Sequence, residues 1–169
     1  MRVFIDVEAS SLRNGFPVEV AWCAEGLDRA ATYLIRPEPA WWECYDWTAE
    51  AQAMHGLDRA TLERIGRPRA EVAASLAEDL AGAEVHSDNA AFDTGWLAVL
   101  YGGAAPPFSV GLLRPAGTLM LTSEIGLRRH RALDDAVALA MAFGSDRGDG
   151  DAATAEARGR EILRRLGRR

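Results

Sequence analysis

Three apolar runs of strand length crowd into the first 35 residues, and this opening constrains the fold more than anything that follows. Residues 2–7 (RVFIDV) alternate poorly and are mostly apolar, the pattern of a strand buried on both faces. Residues 17–24 and 30–35 read as two further strands, with Gly26-Leu27-Asp28 as the turn between them. Strands joined by connections this short pair as antiparallel neighbours, so the chain opens as a three-strand meander. Residues 37–47 then form an irregular loop rich in aromatics, and Thr48 is placed to cap a short helix over residues 48–54. Pro68 opens a longer helix to residue 81, with Val72, Leu76 and Leu80 at helical spacing. A strand at residues 84–87 leads to a helix over 92–101 with Trp96, Leu97 and Leu100 on one face. Residues 102–107 are a loop. The stretch 108–121, broken by Pro115 and Gly117, yields only a short strand near Phe108. A helix over 133–143, a Gly/Asp linker over 144–151 and a final helix over 152–166 complete the chain. A meander followed by alternating helix and strand predicts an α/β domain with a mixed central sheet.

Composition narrows the class of protein. A chain of 169 residues suits one domain, and 49% hydrophobic with 26% charged residues is globular composition. No apolar run approaches the ~18 residues that span a bilayer, so neither signal peptide nor membrane anchor is expected. Cys23 and Cys44 fit neither a disulfide framework nor a zinc site, and the expectation is a soluble, cytoplasmic protein. The net charge of −6 argues against a general nucleic-acid coat, whose binding depends on neutralising phosphates. All 19 cationic side chains are arginine, so any mechanism that needs a lysine amine is excluded.

The chemistry-bearing residues fall in three clusters. In FIDVEASSL, Asp6 and Glu8 occupy positions i and i+2 of the first strand and project from the same face. Like charges held side by side are unfavourable unless a cation lies between them, and carboxylates without cysteine suit Mg²⁺ or Mn²⁺. The bland reading is a solvated strand end, seldom found for acids flanked by Phe4, Ile5 and Val7. In VHSDNAAFDTGWL, Asp93 lies in the first turn of a helix, four residues after Asn89 and four before Leu97. Taken alone it reads as a partner for the helix dipole. In HRALDDAVALA, His130 precedes Asp135 by five residues. Asp135 shares a helix face with Leu139 and Ala142, so a carboxylate interrupts an apolar stripe, while Asp134 points elsewhere.

Together the three clusters resemble the DEDDh family of 3′–5′ exonucleases, the DnaQ-like group of the ribonuclease H-like folds. The first matches the family's D-x-E strand, the second its N-x-x-F-D-x-x-x-L helix start, the third its H-x-x-x-x-D helix. Asp6, Glu8, Asp93, His130 and Asp135 stand in the family's order, and the histidine indicates the h branch. The resemblance covers residues 1–143, the expected exonuclease domain; residues 144–169 are the expected linker and arginine-rich C-terminal helix packed on it. It implies a ribonuclease H-like mixed sheet, with the three-strand meander, flanked by helices. It also implies two divalent cations, Mg²⁺ or Mn²⁺, about 3.5 to 4 Å apart, clamping the scissile phosphate. Asp6 would bridge both, Glu8 and Asp135 would hold one, and Asp93 would support the other. His130 would accept a proton from the attacking water, a role suited to an imidazole of pKa about 6.5. The implied partners are single-stranded 3′ ends of DNA or RNA, and a second copy of the chain in a homodimer.

The sequence departs from the family at two points. The residue after Glu8 is Ala9 where the family has Thr or Ser, followed by Ser10 and Ser11. Backbone amides near this point meet the terminal nucleotide in relatives, so Ala9, Ser10 and Ser11 are candidate substrate contacts, as is Asn89. Only 36 residues separate Asp93 from His130, so the strand, helix and loop usual there are curtailed. Met54-His55-Gly56-Leu57 resembles a His-Gly-Ile segment that lies near the 3′ nucleotide in relatives. His55 is therefore either a substrate contact or the cap of its turn. Among Trp41, Trp42, Tyr45 and Trp47, either Trp42 stacks a base or the loop is pinned to the core by aromatic burial. Trp22 and Trp96 read as core, and His86 as structural. The tail over 158–169 holds six arginines against one acid, Glu161, and either guides nucleic acid or docks on the body.

Two other classes compete with this reading. Haloacid-dehalogenase-type phosphatases also open with a strand ending in two acids, but both are Asp, commonly with a downstream lysine. A catalytically inactive nucleic-acid-binding or scaffolding module of the same fold would be expected to have lost a signature residue.

Overall fold

The computed structural model describes residues 1–114, 127, 130–147 and 152–166. Five strands form one sheet: β1 (Arg2–Ala9), β2 (Pro17–Ala24), β3 (Ala30–Leu34), β4 (Glu84–Ser87) and β5 (Val110–Leu112). Their spatial order is β3-β2-β1-β4-β5, antiparallel across the first three and parallel from β1 through β4 to β5. This is the mixed sheet with an antiparallel meander that the sequence predicts. Every residue of β2 is buried, as expected of a strand covered on both faces.

Alternation along the strands divides the core in two. Val3, Ile5 and Val7 of β1 join Val18, Val20 and Trp22 of β2 under one helical layer. That layer comprises α1 (Trp41–Cys44), α2 (Ala49–His55), α3 (Arg59–Ile65), α4 (Arg69–Asp79) and α5 (Ala90–Leu100). Its buried contacts come from Trp41, Leu62, Val72, Leu76, Leu97 and Leu100. Phe4, Ala21 and Cys23 point the other way, onto α6 (Ala132–Arg147). Its small side chains Ala132, Ala136, Ala138 and Ala140 let that helix lie close against the sheet. α7 (Ala152–Leu166) covers α6 through Ile162, with Gly159 against Met141 and Val137. No helix among the described residues is long and apolar enough to cross a membrane.

Several boundaries differ from those read in the sequence. The 37–47 loop contains the single-turn helix α1, which carries no periodicity to read. α3 was not anticipated, because only Leu62 of its seven residues is buried; Asp58 caps it by accepting from the Thr61 N–H at 2.7 Å. Thr48 does cap α2, accepting from the Ala51 N–H at 3.2 Å, and Gly56 ends it with φ of 72°. α5 begins at Ala90 rather than residue 92, and the late strand is Val110–Leu112 rather than near Phe108. The stretch read as a linker from residue 144 is helical as far as Arg147. Residues 115–121 of the least readable stretch lie outside the described residues.

Candidate active site

The carboxyl ends of β1 and β4 meet the first turns of α5 and α6. β1 pairs with β4 only through Arg2, Val3 and Phe4, so Asp6 and Glu8 run past the end of that pairing. Both project from the Phe4 face, since Val3, Ile5 and Val7 fill the opposite core. An irregularity between Glu8 and Ala9 ends the regular run. Asp93, 1% exposed in the first turn of α5, accepts a hydrogen bond from Ser87 Oγ at the end of β4. That same oxygen accepts from the Asn89 N–H at 2.8 Å, so one hydroxyl ties strand end, helix start and carboxylate together. Asp135, in the first turn of α6, accepts from the His130 N–H at 2.8 Å.

These segments enclose a cleft of about 460 Å³ lined by Asp6, Glu8, Asn89, Asp93, His130 and Asp135. Side-chain atoms of Glu8, His130 and Asp135 lie within 4.8 Å of one another, close enough to share one metal ion. The electrostatics are those of crowded acids. Burial, then the charges of Asp93, Glu8 and Asp135, hold the Asp6 carboxyl well above its usual range. Burial, then Asp135, Glu19 and Asp93, push Glu8 up to about 8, with Arg131 acting in the opposite sense. Burial raises Asp93 to about 7 against the lowering hydrogen bond from Ser87. A site that disfavours its own ionised carboxylates to this degree is suited to a cation.

The other candidates lie off this cleft. Leu12 belongs to its lining, whereas Ala9, Ser10 and Ser11 do not. Ser10 is 1% exposed; its Oγ accepts from the Phe16 N–H at 2.9 Å and donates to the Asp46 carbonyl at 2.7 Å. His55 is 2% exposed, and its Nδ1 accepts from the Leu57 N–H at 3.0 Å, closing its own turn. Its Nε2 is buried without a hydrogen-bond partner, and burial pushes its pKa down to about 4. Trp42 packs on Phe16 and Trp47, with the Arg59 guanidinium 4.4 Å from its ring centre. Met54 and Trp96, by contrast, do line the cleft.

Sequence reasoning missed four contributors. Asp88 adds a carboxylate to the lining and raises both Asp6 and Asp93. Arg114 lines the same cleft and donates from Nε to the Asp88 carbonyl at 2.6 Å. Glu19 and Arg131 form a bidentate pair behind it. A pair 112 positions apart leaves no local signal, although a charged residue in the middle of the apolar run 17–24 could have marked Glu19.

No protein-family model and no curated protein matches the sequence. The fold, however, is shared with solved nuclease structures. E. coli exonuclease I in complex with a dT13 oligonucleotide superposes with TM-score 0.66 at 16% identity, over 86% of this chain and 41% of that one. A zinc-bound form of the E. coli exonuclease I–single-stranded DNA complex gives 0.66 at 17%, over 86% and 40%. Exonuclease I from Methylocaldum szegediense gives 0.60 at 16%, over 96% and 45%. The chain therefore has the ribonuclease H-like α/β fold of these structures, and spans somewhat less than half the length of these proteins.

Proposed function

We propose that this chain is a metal-dependent 3′–5′ exonuclease of the DEDDh type, acting on single-stranded 3′ ends. The observation that carries the reading is the convergence of Asp6, Glu8, Asp93, His130 and Asp135 on one cleft, from three separate segments. The fold shared with exonuclease I, in structures that include single-stranded DNA complexes, supports the same reading.

The residues fit divalent cations. Four carboxylates supply hard oxygen donors, the donor set of Mg²⁺ or Mn²⁺. Asp6, Glu8, Asp93 and Asp135 would hold two such ions. Bound there, the ions would polarise the scissile phosphate and offset the charge that builds on its oxygens. His130 lies within 4.8 Å of Glu8 and Asp135, where its imidazole would accept the proton of the attacking water. The Asp135 carboxylate, through the His130 N–H, fixes the backbone from which that imidazole projects. A cleft lined by these acids favours an unpaired strand, which can bring one phosphate to them without parting from a complement.

The deciding experiment digests 5′-labelled single-stranded DNA and RNA of equal sequence with Mn²⁺, Mg²⁺ or EDTA, beside Asp6→Ala. A metal-dependent ladder shortening from the 3′ end, lost in the variant, is the expected result. Absence of cleavage on both polymers, with no thermal shift by Mn²⁺, overturns the enzyme reading.

A further inference from the structure

Behind the cleft, Glu19 of β2 is 1% exposed, and its carboxylate is engaged on both oxygens. Arg131 donates from Nε to Oε2 and from Nη2 to Oε1, each at 2.9 Å. The Ala132 N–H donates to Oε2 and Thr32 Oγ1 to Oε1, both at 3.2 Å. A carboxylate this deep is tolerable only when it is paired and hydrogen-bonded throughout. Three of the four bonds come from residues 131 and 132, where α6 begins. Glu19 thus does from a neighbouring strand what a capping residue does from its own helix: it accepts from the Ala132 N–H and places negative charge at the helix start.

Its place in the sheet gives this cap a second consequence. Glu19 stands opposite Glu8 in the antiparallel register of β1 and β2, so both side chains share one face. The start of α6 is thereby tied to the strand position beside Glu8. On the far side of the tie, His130 has φ of 62°, the left-handed region that a residue with a Cβ rarely occupies. Such a backbone persists only where its surroundings over-determine it. Here the Asp135 carboxylate holds the His130 N–H, and Glu19 holds the two residues that follow.

We propose that the Glu19–Arg131 pair is a positioning device for the cleft: it registers the start of α6 against β2 and so sets His130 and Asp135 at working distance from Glu8. Neither residue lines the cleft, and their charges act on Glu8 in opposite senses, so removing the two together leaves the placement of the groups they hold as the change to be read. The inference rests on the exonuclease reading for its catalytic consequence, but its metal-binding consequence can be read without activity.

The test removes the pair as a unit, with Glu19→Leu and Arg131→Met together. Deleting one partner would strand a buried charge, whereas an apolar pair of similar volume is often neutral for stability. Two quantities are read on the folded double variant: the Mn²⁺ concentration that gives half the thermal shift, and the kcat and KM on a labelled single-stranded oligonucleotide. The expected result is a Mn²⁺ requirement and a kcat each worse by about 10–100-fold, with KM within about twofold. Arg131→Lys keeps the charge but cannot make the two-pronged contact, and is expected to fall between wild type and the double variant. A double variant with wild-type Mn²⁺ affinity and kcat overturns the proposal, since a pair that merely holds the fold is replaceable by any stable filling. If the double variant does not fold, Arg131→Lys decides by the same two readouts, and wild-type values there overturn it equally. If the wild-type chain binds Mn²⁺ but cleaves neither polymer, the failure lies with the substrate reading, and the Mn²⁺ titration alone supports or overturns the positioning role.

Discussion

His130 donates its backbone N–H to the carboxylate of Asp135, five residues ahead, over 2.8 Å. The five-residue spacing is therefore a structural unit as well as a pair of chemical groups: a side chain of the first helical turn reaches back beyond the cap. Asp135→Asn keeps an oxygen that can accept this bond, while Asp135→Ala does not. Both are expected to abolish cleavage and weaken Mn²⁺ binding. In urea unfolding, the Asn variant should be the more stable by about 1 kcal/mol, the usual worth of a cap. Equal stability of the two would mean that the bond contributes nothing to the turn.

The raised carboxyls make a pH prediction whose sign is unusual for acids. Glu8 at about 8 and Asp93 at about 7 bind protons more tightly folded than unfolded, where both titrate near 4. Between those values the folded chain holds the extra protons, so stability falls as pH rises from about 4 to 8. In EDTA, the melting midpoint should be lower at pH 8.5 than at pH 6. Mn²⁺ should reverse the trend, because ionised carboxylates bind it and protonated ones do not. Differential scanning fluorimetry across that range, with and without Mn²⁺, checks it; a midpoint in EDTA that climbs toward pH 8.5 would contradict the acid-cluster account.

Much of this site was legible because its geometry is local. Asp6 and Glu8 share a face by strand pleat, Asp93 follows a strand at helix-start distance, and the His130-to-Asp135 spacing is one capped turn. The mixed sheet with its antiparallel meander was legible from the three opening strands and the later alternation of helix with strand, whereas the order in which β4 and β5 join it was not. What escaped reading depends on distance in the chain or on weak burial. Glu19 and Arg131 meet only after β2 and α6 have docked. α3 buries Leu62 alone, so it leaves no apolar stripe. α6 runs on to Arg147 because Gly144 and Asp146, both poor helix formers, follow a long buried Ala-rich stretch that carries the helix past them.

Ser87 is the next residue whose removal is informative. It is fully buried, and its single oxygen serves both the Asp93 carboxylate and the Asn89 N–H. Ser87→Ala leaves the Asn89 N–H without its acceptor and takes from the Asp93 carboxylate one of its donors, the Val7 N–H remaining, a loss of about 1–3 kcal/mol in urea unfolding. Because the lost bond favoured the charged form, Asp93 should also titrate higher. Mn²⁺ binding at pH 7 must then displace more proton, so its affinity should fall, and raising the pH to 9 should restore most of the loss. An affinity deficit unchanged at pH 9 would assign the effect to misplaced backbone instead.

The aromatic loop tests burial against base stacking. Phe16 is fully buried and touches Trp41, Trp42, Tyr45 and Trp47, with centroid separations from 5.1 to 6.4 Å. Trp42 meets Phe16 edge-on, and the Arg59 guanidinium rests over its ring. A ring face already covered by a cation is a poor platform for a nucleobase, so its energy belongs to the fold. Phe16→Ala should cost about 3–5 kcal/mol as the cluster loses its centre. Trp42→Ala, at a half-buried position, should cost about 2 kcal/mol with KM for a single-stranded oligonucleotide within about twofold of wild type. Urea unfolding alongside steady-state kinetics separates the alternatives. A several-fold rise in KM at unchanged stability would move Trp42 from the core to the substrate path, and would require Arg59 to swing away as the strand binds.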